Sequence, residues 1–78
     1  MYLYSLNYRV ETPENPYGRK KITEMSTPWL PRAGEIVEYQ PWEADTGTYH
    51  VKKYMVETVE YWYQDETRYG INVFVKDL

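Results

Sequence analysis

The residues with chemical potential in this chain are few, and their spacing excludes more than it supports. Asp45-Thr46-Gly47 is the tripeptide through which a carboxylate can enter acid–base proteolysis. That chemistry needs two carboxylates sharing a proton, so a chain with one copy would have to dimerise. Here Trp42-Glu43-Ala44 stands where an apolar strand should lead in, and the residues after Gly47 lack the apolar-apolar-Gly segment that supports such a loop. The tripeptide reads as a β-turn, since Asp and Gly are turn residues. His50 is the single histidine, and neither Ser5 nor Ser26 is spaced to make a nucleophile–base pair with it. Glu43 with Asp45, or Asp65 with Glu66, offers carboxylate oxygens without a Ca²⁺-loop pattern. No Gly-rich phosphate loop is present. The expectation is a protein that is not an enzyme and carries neither metal nor cofactor.

Two basic clusters remain, Arg19-Lys20-Lys21 and Lys52-Lys53. If folding brings them together with Tyr17, Tyr49 or Tyr54, their cations would take a phosphate and a ring would stack a base. The alternative is that they keep strand edges soluble. The aromatic content adds a second signal. Ten Tyr, three Trp and one Phe make up 18% of the chain. A barrel of this size has about eight to ten large inward positions, so some rings must lie on the surface or in an interface. Tyr and Trp are enriched at interface hot spots. Trp29, Tyr39, Trp42, Tyr54 and Trp62 are the candidates for that surface.

Seventy-eight residues allow one domain with a thin core. The chain has no cysteine, so neither a disulfide framework nor a cysteine metal site supplements it. Self-association would bury surface that a monomer leaves exposed. The N-terminal Tyr2-Leu3-Tyr4-Ser5-Leu6 lacks the basic-then-apolar order of a signal peptide, and no stretch approaches the roughly 20 apolar residues of a spanning helix. A cytoplasmic location and no membrane contact are expected. The formal charge of −3 argues against affinity built on phosphate neutralisation over the whole surface.

The elements that must position these residues read as strands. Tyr2, Tyr4, Leu6, Tyr8 and Val10 alternate with Leu3, Ser5, Asn7 and Arg9, which predicts a strand with one buried aromatic face. Residues 11–18 form a Pro/Asn/Gly loop, and Ile22–Met25 a short edge strand. Pro28 and Pro31 bracket Trp29-Leu30, a rigid connector whose apolar pair plugs one end of the core. Arg32-Ala33-Gly34 turns into a strand over residues 35–39, and Trp42–Gly47 is an acidic loop. Thr48–Met55 fits either a helix face or a strand; its Tyr, Val and Thr favour strand, with a β-bulge near Lys52–Tyr54. Val59, Tyr61 and Tyr63, then Ile71, Val73 and Val75, predict a closing hairpin around a loop at residues 64–70.

The expected fold is therefore all-β: a small single-domain antiparallel barrel or a strongly bent sheet of five to six strands, SH3-like or OB-like. The order Pro31-Arg32-x-Gly34-Glu35-x-Val37, then Gly47-x-Tyr49-x-Val51, then a valine-rich hairpin, resembles short SH3-like barrel proteins of phage and prophage type over residues 31–78. The resemblance implies a binding module, one that inhibits a host system, and transfers no site residue. The leading expectation is protein–protein interaction, self-association included, through an exposed Tyr/Trp surface. A second is a homo-oligomer that sequesters a small nucleotide-like anion through Arg19, Lys20, Lys21, Lys52 and Lys53, with Tyr17 or Tyr49 stacking. A third, disfavoured by the charge, is single-stranded nucleic-acid binding on an OB-like face.

Overall fold

The computed structural model describes residues 1–78 and contains strands only. In chain order they are β1 (Tyr2–Arg9), β2 (Arg19–Thr27), β3 (Ile36–Tyr39), β4 (Trp42–Glu43), β5 (Thr48–Tyr49), β6 (Lys52–Asp65) and β7 (Arg68–Asp77). Five of them form one curled sheet in the order β2-β1-β7-β6-β3, and β4 and β5 make a separate two-stranded flap. The all-β, strongly bent sheet is as expected. The sheet is open, with β2 and β3 at its edges. Every pair is antiparallel except β1–β7, which runs parallel from Ser5↔Asn72 to Tyr8↔Val75 and joins strands from opposite ends of the chain. No helix is present that could cross a membrane.

Alternation along the strands sorts residues onto two faces. The inner face carries the core: Tyr4 and Leu6 of β1, Val73 and Val75 of β7, Tyr54 and Val56 of β6, and Val37 of β3. Leu30 packs against this cluster while Trp29 stays 54% exposed, so only half of the Trp-Leu pair plugs the core. Tyr8 closes the β1 end. Its ring meets Tyr54 edge-on at 5.9 Å, and its hydroxyl donates to Asp77 Oδ1 at 2.5 Å.

Irregularities fall where the packing needs them. The bulge in β6 lies at Glu57, between Val56 and Thr58, and not near Lys53. It keeps Val56 and Val59 on the same face, opposite Val75 and Val73. Thr48–Met55 is extended, as favoured, but it breaks at His50-Val51 between β5 and β6. The loop expected at residues 64–70 shrinks to Glu66-Thr67. Asp65 contracts it: its carboxylate accepts from Thr67 N and Arg68 N, each at 2.9 Å, and pairs with the Arg68 guanidinium. Those contacts, the Arg68 side chain first and the Thr67 amide second, hold the Asp65 carboxyl below its ordinary pKa.

Candidate functional site

The sheet is incomplete at one end. β1 and β7 pair only from Ser5 and Asn72 onward, so Met1–Tyr4 and Arg68–Ile71 diverge as the arms of a fork. β2 supports one arm and β6 the other. The fork encloses about 890 Å³ and is lined by Met1, Tyr2, Leu3, Tyr61, Tyr63, Tyr69 and Ile71, among others. Tyr61↔Ile71 and Tyr63↔Tyr69 are cross-strand pairs that continue the inner-face row beyond the core. No strand covers them there, and Tyr61, Tyr63 and Tyr69 are 68%, 72% and 64% exposed. The facing edges of the fork also lack ladder partners across the gap.

The outer face is polar and built around Asn72, only 4% exposed. Arg19 Nη1 donates to Asn72 Oδ1, and Asn72 Nδ2 donates to Glu60 Oε1 at 3.3 Å. Arg9 pairs directly across from Arg19, and its guanidinium carbon sits 3.8 Å from the centroid of the buried Phe74 ring. Trp62 pairs with Gly70, where an added Cβ would lie 2.7 Å from Trp62 Nε1, so the indole rests in the space that glycine leaves. Arg9, Tyr17, Arg19, Glu60, Trp62, Asn72 and Phe74 bound a groove of about 420 Å³.

These surfaces take in only some of the sequence candidates: Arg19, Lys21 and Trp62 line the fork, and Tyr17, Arg19 and Trp62 the groove. Tyr54 is 2% exposed and belongs to the core, so it offers nothing to a partner or a ligand; alternation puts it in phase with Val56, and the bulge at Glu57 keeps both on the face of Val59. Tyr39 is partly buried against the same core. Trp29, Trp42 and Trp62 are exposed; Trp42 stacks edge-on with Tyr49 at 5.1 Å across the β4–β5 flap. The two basic clusters do not meet. β1 and β7 separate β2 from β6, roughly 14 Å at about 4.8 Å per strand. Lys21 pairs with Glu24 at 3.0 Å and Lys53 with Glu38 at 3.9 Å, as solubilising edge charges would. Arg19 and Tyr17 are brought together; Lys20, Lys21, Lys52, Lys53 and Tyr49 line no part of their groove.

Tyr2, Tyr61, Tyr63 and Tyr69 of the fork, and Arg9, Glu60, Asn72 and Phe74 of the groove, are absent from the sequence candidates. The alternation that placed the tyrosines on one face carried no sign that the face runs out of cover. His50 sits between the flap strands and β6: its amide donates to Pro41 O and its Nδ1 lies 2.9 Å from Glu43 Oε1. Asp45-Thr46-Gly47 lies in the β4–β5 turn, closed by Gly47 N donating to Glu43 O at 2.9 Å. No group of three or more His, Cys, Asp or Glu side chains is placed to hold a metal. The chain matches no protein-family model, no curated protein and no solved structure.

Proposed function

We propose that this chain is a non-enzymatic binding protein whose working surface is the tyrosine fork between β1 and the β6–β7 hairpin, and that its partner is a protein segment in extended form. The observation that carries this reading is the set of exposed tyrosines on the two arms, Tyr61, Tyr63 and Tyr69 on one and Tyr2 on the other, beside two strand edges with no ladder partner across the gap. Tyrosine gives large contact area at low conformational cost and is favoured at interface centres. An unpaired edge supplies backbone donors and acceptors, so an incoming strand would gain affinity from the ladder and specificity from the ring-lined walls. A second copy of the chain has such an edge too, and self-association falls within the reading.

The test is a pair of measurements on purified protein: sedimentation velocity, and affinity capture from the cells that make the protein. Each compares wild type with a Tyr63→Ala/Tyr69→Ala variant and a Trp29→Ala/Trp42→Ala variant. The fork variant should lose the dimer or the captured protein while the tryptophan variant keeps it. Loss in the tryptophan variant alone would move the surface elsewhere. A wild-type monomer that captures nothing would end the proposal.

A further inference from the structure

The outer-face groove is a different kind of surface, with both signs of charge held in place and rings on its walls. Arg9 and Arg19 project from directly paired positions of β1 and β2. Like charges placed so are mutually destabilising. Their nearest acidic relief is slight: Arg9 reaches Glu11 at 3.6 Å, and Arg19 makes no salt bridge. Both guanidiniums are nevertheless fixed, Arg9 over Phe74 and Arg19 by the buried Asn72 amide. The same amide holds Glu60 at the other end. One buried side chain thus positions a cation and an anion in one groove. Tyr17 and Trp62 flank them. Gly18 fixes the loop beneath Tyr17, because any Cβ there would meet Val10 O at 2.1 Å.

We propose that this groove binds a free guanine nucleotide. The phosphate is held by Arg9 and Arg19, whose planar donors suit phosphate oxygens. The base stacks on Trp62 or Tyr17. Its N–H donor edge meets the Glu60 carboxylate, an acceptor-only group that adenine's N1 would not satisfy. The groove volume of about 420 Å³ falls in the range of small-molecule sites. A free nucleotide is preferred over a strand because the chain's charge is −3.

Isothermal titration calorimetry with GMP, AMP, inorganic phosphate and a short oligothymidylate decides the matter. GMP should bind about tenfold or more tightly than AMP, and phosphate weakest. Arg19→Ala should weaken GMP by about 10- to 100-fold, the value of a charge-assisted contact. Because Arg9 also covers Phe74, Arg19→Lys serves as the second variant: it keeps the charge, loses the planar fork and should still weaken binding. Glu60→Gln should erase the preference for GMP over AMP. The proposal is overturned if folded wild type binds no GMP at millimolar concentration. It is equally overturned if Arg19→Ala and Arg19→Lys bind as wild type does, or if oligothymidylate binds as tightly as GMP.

Discussion

Replacing Gly18 by alanine should destabilise the protein and open the loop that carries Tyr17. The residue is buried where the β1–β2 loop returns, and a Cβ there would lie 2.1 Å from Val10 O. The obstacle is backbone, so it cannot rotate away. Relief requires moving the loop, which breaks the bond from Val10 N to Gly18 O at 2.9 Å and that from Gly18 N to Asn15 O at 3.2 Å. Two such bonds contribute about 1–3 kcal/mol together. Alanine's smaller unfolded-state entropy returns about 0.4–1 kcal/mol. The net loss is about 1–2 kcal/mol, against a total stability of about 4–12 kcal/mol for a chain of this length. With an m-value of about 1.5 kcal/mol/M, the urea midpoint should fall by about 1 M. Hydrogen exchange at the Val10 amide should accelerate beyond the global change. Gly34→Ala is the contrast: φ is +89° there, with nothing within 4 Å, so its cost of about 1 kcal/mol is conformational and should leave Val10 protected. An unchanged midpoint with unchanged Val10 protection in Gly18→Ala would refute the steric argument.

Leu6→Ala removes a fully buried side chain from a core of seven residues and should cost about 2–5 kcal/mol in urea denaturation. Tyr8→Phe deletes the bond to Asp77 and should cost about 1 kcal/mol at neutral pH. The bond to Asp77, then burial, then Tyr54 raise the Tyr8 pKa well above its ordinary 10.0. The folded chain therefore keeps a proton that the unfolded chain releases, so this contribution is complete below pH 10 and lost as the pH rises further. Denaturation series on either side of pH 10 should show a steeper fall for wild type than for Tyr8→Phe. Trp42→Ala should fray the β4–β5 flap, seen as faster exchange at the Gly47 and His50 amides, while the main-sheet amides stay protected.

Much of the fold is written in short-range periodicity. The alternation at Tyr4, Leu6 and Tyr8 gave the inner face of β1, and Val59, Tyr61 and Tyr63 share a face opposite Val73, Ile71 and Tyr69. The prolines around Trp29 and the glycine turn at Gly34 fell where expected. Three things were hidden, each for a physical reason. The parallel β1–β7 pairing leaves no local trace, because its partners lie at opposite ends of the chain. The bulge at Glu57 depends on matching Val56 and Val59 to β7, so the phase of Tyr54, and hence its burial, could not be read from β6 alone. The candidate sites suffered most. Asn72 looks like an ordinary strand residue until Arg19 and Glu60 are brought to its amide from two other strands.

The parallel β1–β7 seam also sets the order in which the molecule can be assembled. Ribosomes deliver β1 first and β7 late, yet Leu6 and Val73, both fully buried, meet across that seam. Before β7 emerges, the chain can hold only three unconnected ladders, β1 with β2, β3 with β6 and the small β4–β5 flap, none with a completed core. Loop-closure entropy must be overcome before the long-range contacts contribute, which makes folding slow and late for so small a protein. A nascent or clipped chain ending before Arg68 would therefore present its apolar strand faces uncovered. Such a chain would be a target for chaperones and proteases, and closing the β1–β7 seam is the step that removes the exposure.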